Sequence, residues 1–302
     1  MGKVYSPEEI WNDQIPHPDT HQQTATELMG ALEDVPSLYA ATLYGSTALG
    51  NPNTRSDIDV AVVHEETADK LDFYEQLLKK TAQLRYGNLI EFHVNSSREL
   101  TSLDAAKETD AFMVEHLRLM AQTSVVPGIH TEAFETMVHP FKDLPATEGA
   151  ELAEVIFRRY LMHKERRFFE AQRRHTDEIN YARIQRAFEL PTAITRKLVR
   201  LQQLRACKMS SIVELPPHFY QRDGLASHAK TYYDASPEWA ECSTWLIARD
   251  GEYTELLNDT VAGSTSLKEY EAWLHDIARP SYQKALHLSI ATEALYQTVK
   301  LR

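Results

Sequence analysis

Three carboxylates between residues 57 and 91 have the spacing of a metal site. Asp57 and Asp59 flank Ile58 at the start of a predicted strand, and alternation along a strand places both carboxylates on one face. Two carboxylates on one face repel each other, and a divalent cation that prefers oxygen ligands, such as Mg2+, relieves this repulsion. Glu91 lies within another apolar strand, where an unpaired carboxylate is costly. If the two strands are neighbours, Glu91 completes a triad of metal ligands on that face.

A glycine-serine pair, Gly45 and Ser46, directly follows a third apolar segment, and Gly50 comes shortly after it. A glycine lets backbone N–H groups approach a phosphate closely, and the serine hydroxyl adds a neutral hydrogen-bond donor. Each feature also has a simpler interpretation. The pair could form an ordinary turn, Asp57 could cap a helix or a strand, and Glu91 could be exposed on an edge strand.

The elements that must position these residues follow from the apolar pattern. Strands are predicted over 38–44, 58–63 and 89–94, and 123–129 could return to the sheet. Alternation along the third strand places His93 on the face of Glu91, and we interpret His93 as packed or solvated rather than catalytic. Helices in this half are predicted after Asp19, after Thr67, where Leu71, Tyr74, Leu78 and Arg85 recur at helical spacing, and over 110–122.

The second half of the chain is predicted to be almost entirely helical. The predicted helices cover 151–174, 180–188, 191–208, 239–248, 266–278 and 282–299. The segment 140–149, with two prolines and a glycine, separates the halves. The sequence therefore predicts an α+β protein with a mixed sheet flanked by helices in domain 1–145, and an all-helical bundle in domain 146–302.

The stretch from Gly45 to Asp59 and the later Glu91 together resemble the nucleotidyltransferase superfamily typified by DNA polymerase beta. Its pattern is a glycine-serine pair, a second glycine, an aspartate-x-aspartate on the next strand, and a carboxylate on a later strand. Ser56 before the first aspartate also fits the branch that modifies aminoglycoside and lincosamide antibiotics. The resemblance covers roughly residues 20–130, and the helical second half is similar to the acceptor-binding domain of that branch.

The resemblance implies a role for each matched residue. In this superfamily an acceptor attacks the α-phosphate of a nucleoside triphosphate and pyrophosphate leaves, with two Mg2+ ions at the reacting oxygens. Gly45 and Ser46 would hold the β- and γ-phosphates, and Asp57 and Asp59 would ligate Mg2+. Glu91 would bind the second ion, activate the acceptor hydroxyl, or both.

Charge is unevenly distributed along the chain. Residues 158–208 carry 14 basic and 5 acidic side chains, whereas the whole chain has a net charge of -12. Most of these basic residues are expected on solvated helix faces, in pairs such as Glu170 with Arg174. Arg196, Lys197 and Arg200 share one predicted helix and are our candidates for binding the triphosphate or the phosphates of an RNA.

A short motif further on admits a different activity. Arg222 and His228 have the spacing of the arginine-x4–6-histidine signature that HEPN ribonucleases use, and HEPN proteins often pair with small nucleotidyltransferases. Arg158 and His163 fit the same degenerate pattern. We therefore treat ribonuclease activity as the less favoured interpretation of both pairs.

Composition limits the class of protein. The 302 residues are 43% hydrophobic and 25% charged, as in globular proteins rather than disordered ones. No apolar run is long enough for a membrane span, and the first 19 residues do not have the pattern of a signal peptide, so we expect no membrane partner. Cys207 and Cys242 make neither a disulfide framework nor a metal motif, which favours the cytoplasm.

These observations predict a Mg2+-dependent enzyme that transfers a nucleoside monophosphate, most readily AMP from ATP, to a hydroxyl of a small molecule. One alternative is the same transfer to a tRNA or a protein, as in toxin-type nucleotidyltransferases. Another is an inactive nucleotide-binding or antitoxin-like module, against which the intact carboxylates Asp57, Asp59 and Glu91 argue.

Overall fold

The computed structural model describes residues 2–101, 117–118, 120–142, 146–173, 179–205, 230 and 232–300. The chain divides into two compact units. The first comprises the described residues of Gln14–Leu152 and contains the sheet. The second comprises the described residues of Met1–Asp13, Ala153–Ala206 and Pro216–Arg302 and is built from helices. The predicted α+β class is confirmed, and a functional division at residue 145 stays a prediction.

The sheet consists of β1 (Leu38–Tyr44), β2 (Ile58–His64) and β3 (Ile90–Ser96), with β2 in the centre. β1 runs antiparallel to β2, and β3 runs parallel to it, so the sheet is mixed as predicted. Residues 123–129, which the structure describes in full and which could have formed a further strand, pair with the sheet through a single antiparallel bridge between Ile129 and Ala41.

The helices have these bounds in chain order: α1 Pro7–Trp11, α2 Pro18–Leu32, α3 Gly45–Ala48, α4 Lys70–Thr81, α5 Ser97–Thr101, α6 Glu132–Lys142, α7 Ala146–Arg173, α8 Tyr181–Arg205, α9 Pro237–Val261 and α10 Leu267–Lys300. Among the described residues, every helix falls short of the combined length and hydrophobicity that a bilayer span requires.

Helix α4 buries a different face from the predicted one. It is capped by Asp69, whose carboxylate accepts hydrogen bonds from two backbone N–H groups of the first turn. The buried residues are Phe73, Leu77 and Thr81. The predicted inner face of Leu71, Tyr74 and Leu78 is 41–75% exposed. Both stripes have helical spacing, and contact between the rings of Phe73 and His64 helps to select the first.

Two helices continue through prolines that the sequence pattern predicts as breaks. Pro191 lies inside α8 and Pro280 inside α10, so the separate helices predicted on either side of each proline are wrong. A proline within a helix costs about 3 kcal/mol because a backbone hydrogen bond is lost. Around Pro191 the apolar side chains of Ala187, Leu190 and Ile194 are almost fully buried. Their packing offsets that cost.

The N-terminal segment is anchored within the helical unit by two buried tyrosines. The hydroxyl of Tyr253 accepts a hydrogen bond from the backbone N–H of Tyr5 at 2.8 Å, and the hydroxyl of Tyr270 donates to the carbonyl of Tyr5 at 2.7 Å. Burial raises the pKa of Tyr270, which keeps its hydroxyl protonated as a donor.

Candidate active site

The three carboxylates predicted as a triad lie together on the sheet. Asp57 immediately precedes β2, Asp59 is the second residue of β2, and Glu91 is the second residue of β3. The parallel pairing of β2 with β3 places Asp59 directly opposite Glu91. One carboxylate oxygen from each residue lies within 4.8 Å of the other two, and all three residues are half-buried. The two strands are therefore neighbours, which is the condition under which Glu91 joins the triad.

The geometry of these oxygens fits a hard divalent cation. Three carboxylates this close repel one another, and each pair of unit charges at about 4 Å costs about 1 kcal/mol even in water. Around one octahedral Mg2+, with each oxygen about 2.1 Å from the ion, neighbouring oxygens are about 3 Å apart and opposite oxygens about 4.2 Å apart. Carboxylate oxygens within 4.8 Å of one another can reach this arrangement if the side chains move inwards. Asp57, Asp59 and Glu91 could thus hold a magnesium ion.

Gly45 lies against one of these carboxylates. β1 ends at Tyr44, which pairs with Asp59, and the chain then turns into the short helix α3. Gly45 makes this turn with a φ of +73°, a conformation that other residues rarely adopt. A Cβ atom at this position would collide with Oδ2 of Asp59. A side chain at residue 45 would therefore displace either the Asp59 carboxylate or the turn.

The segment before Asp57 is held by contacts that the sequence analysis missed. The backbone N–H of Asn53 donates to the Ser56 hydroxyl and the N–H of Ser56 donates to the Asn53 carbonyl, each at 2.9 Å. The Asn53 side chain also accepts from the N–H of Arg55. The hydroxyl of the buried Thr47 lies 3.3 Å from the carbonyl oxygen of Asp57. An asparagine two residues before Arg55 is a typical turn signal, and could have indicated this constraint.

The basic candidates lie in the helical unit. Arg196, Lys197 and Arg200 are all on α8, which confirms that they share one helix. Arg196 is exposed and Lys197 is half-buried. The triad belongs to the other unit, so a role for these three residues at the phosphates stays a prediction.

The remaining predicted pairs are placed only in part. Arg222 and His228 lie outside the described residues. Arg158 and His163 are exposed on α7, and Arg158 forms an ion pair with Glu154 one turn away. His93 is half-buried on β3, two residues beyond Glu91. The predicted pair of Glu170 with Arg174 also involves residues whose side chains are not described.

The comparison with protein families agrees with this geometry. Residues 27–110 match the family described as polymerase beta, nucleotidyltransferase, and this range contains the glycine-serine pair and the whole triad. Residues 27–110 therefore match a polymerase beta-type nucleotidyltransferase domain, and this match supports nucleotidyltransferase activity. Such domains typically use a divalent metal. No curated protein matches the chain in sequence.

Proposed function

We propose that this nucleotidyltransferase transfers a nucleoside monophosphate, most readily AMP from ATP, to a hydroxyl of a small molecule. The acceptor oxygen forms a bond to the α-phosphorus as the bond to the pyrophosphate oxygen breaks, and the hydroxyl proton passes to a base. The observation that carries this proposal is the convergence of Asp57, Asp59 and Glu91 beside the backbone of Gly45.

Each residue has a proposed task in this reaction. Asp57 and Asp59 would hold two Mg2+ ions together with Glu91, and bound ions would neutralise charge on the reacting phosphate oxygens. Glu91 would also accept the proton of the acceptor hydroxyl. Gly45 and Ser46 would bind the β- and γ-phosphates through their backbone N–H groups and the serine hydroxyl.

The acceptor distinguishes two forms of the proposal. The net charge of -12 favours a small cationic acceptor, which we propose is recognised by residues 146–302. The basic stretch 158–208 favours a tRNA end as the second candidate. We propose a cytoplasmic location for the protein with either acceptor.

The direct test supplies the full chain with Mg2+, each α-labelled nucleoside triphosphate in turn, and a cell extract. We expect the label to enter the small-molecule fraction, with ATP as the best donor and with release of pyrophosphate. Label in the RNA fraction would favour the tRNA acceptor instead. Absence of transfer to small molecules, RNA and protein alike would contradict the proposal.

Glu91→Gln tests the proposed base. The amide keeps the shape of the side chain but cannot accept a proton, so we expect turnover to fall about a hundredfold with little change in triphosphate affinity. If Glu91 also binds metal, the Mg2+ concentration needed for half-maximal rate should rise. Glu75→Gln, on the exposed face of α4, is the control. An unchanged rate would leave Glu91 as an ordinary strand residue.

Replacing Arg196, Lys197 and Arg200 together by glutamine tests the phosphate-binding role of α8. Loss of three positive charges should weaken triphosphate binding about tenfold if these side chains contact phosphate. Binding of labelled triphosphate is the measurement. The glutamine variant of Lys79, Lys80 and Arg85 removes the same charge from the other unit and should bind normally.

Two other results of this triple replacement are informative. Loss of RNA binding with triphosphate affinity intact would support the tRNA acceptor. No change in either affinity would contradict the proposed role and leave these residues on a solvated helix face.

A further inference from the structure

A buried histidine connects helix α2 to the residue that precedes the triad. His21 lies in the first turns of α2 and has no exposed surface. Its Nε2 atom is 2.8 Å from the carbonyl oxygen of Ser56, and its Nδ1 atom is 3.2 Å from the carbonyl oxygen of Pro18. Ser56 is itself only 3% exposed. The imidazole therefore lies between the start of α2 and the peptide that leads into Asp57.

The direction of the shorter hydrogen bond follows from its atoms. A carbonyl oxygen can only accept, and a neutral imidazole carries one N–H, so we assign the hydrogen of His21 to Nε2, which makes the shorter of its two carbonyl contacts. A buried carbonyl that loses its donor is unfavourable, so this bond restrains the orientation of the Ser56–Asp57 peptide. On the next peptide, Thr47 contacts the Asp57 carbonyl at 3.3 Å. Successive peptides around Asp57 are thus held from α2 and from α3.

We infer that His21 is a positioning residue for the metal site, and that it acts by holding the Ser56 carbonyl so that Asp57 points towards Asp59 and Glu91. This inference rests on the proposed function of the triad. His21 contacts no carboxylate of the triad in this role, and its effect passes through one peptide. Groups that hydrogen-bond a metal ligand directly typically change metal affinity 10- to 100-fold when replaced, and His21, which acts through the peptide before Asp57, should have an effect at the lower end of that range.

Two amide variants separate the role from general packing. In His21→Gln the side-chain N–H can take the place of Nε2–H, whereas in His21→Asn the shorter amide can reach only the position of Nδ1. We expect the Asn variant to bind Mn2+ about tenfold more weakly than the wild-type chain, measured by electron paramagnetic resonance titration of the full chain. The Gln variant should recover most of that affinity. In turnover, the Asn variant should need more Mg2+ for half-maximal rate.

His64 provides the matched control. It is 3% exposed, ends β2 and contacts a backbone carbonyl through Nδ1, but it lies at the opposite end of the strand from Asp57. His64→Asn should lower the thermal unfolding temperature while leaving Mn2+ affinity within about twofold of the wild-type value.

Several results would overturn the inference. Equal Mn2+ affinities for the Gln and Asn variants of His21 would do so, and so would an equal loss of affinity in His64→Asn. If the wild-type chain binds Mn2+ and transfers nucleotide while His21→Asn does both equally well, only the role of His21 is wrong. If the wild-type chain binds no Mn2+, the metal site of the proposed function fails as well.

Discussion

Asp57→Ala and Asp59→Ala should each lower the rate of nucleotidyl transfer about a thousandfold, equivalent to about 4 kcal/mol of activation free energy. Each replacement removes a carboxylate from a cluster whose oxygens lie within 4.8 Å of one another. The loss should appear in steady-state assays of pyrophosphate release at saturating Mg2+ and triphosphate.

Stability distinguishes this loss from misfolding. In the metal-free protein the three carboxylates repel one another, so removing one should leave the thermal unfolding temperature unchanged or slightly raised. Asp34→Ala, at an exposed position after α2, should change neither the rate nor the unfolding temperature. If either triad variant keeps more than about a tenth of the wild-type rate, the assignment of the metal ligands is wrong.

Gly45→Ala should lower the transfer rate at least about a hundredfold through a single added methyl group. The methyl group would collide with Oδ2 of Asp59, so the carboxylate or the turn must move. Displacement of a reacting group by about 1 Å costs about a hundredfold in rate. The rate and the Mg2+ dependence of pyrophosphate release are the measurements, and both should change.

The positive φ of Gly45 contributes strain of its own, which needs a separate control. Gly263 has a φ of +78° with open space around its Cα atom, so Gly263→Ala adds the backbone strain without a collision. Gly263→Ala should lower the free energy of unfolding by about 1–2 kcal/mol and Gly45→Ala by at least as much, but only Gly45→Ala should affect catalysis. A normal rate for Gly45→Ala would mean that the close approach of Gly45 to Asp59 has no catalytic importance.

The triad could be predicted because its information is local. The aspartate-x-aspartate pattern places two carboxylates on one face by alternation alone, and the apolar residues around them identify β2. Only the pairing of β2 with β3 was needed to bring in Glu91, and a charged residue inside an apolar strand indicated a partner.

The features that sequence analysis missed depend on contacts between distant segments. Which of its two apolar faces α4 buries is decided in part by contact between Phe73 and the ring of His64, and His64 belongs to β2. The continuity of α8 through Pro191 depends on burial of the side chains around it, which local propensity does not contain. The contact of His21 with Ser56 joins residues 35 positions apart, and no motif connects them.

The number of Mn2+ ions that the chain binds, in the presence of a triphosphate analogue that cannot react, tests whether the triad is the metal site. We expect two ions per wild-type chain. We expect loss of both from a folded variant in which Asp57 and Asp59 become asparagine and Glu91 becomes glutamine. The same number of ions with the same affinity on both proteins would contradict the assignment of this triad as the metal site.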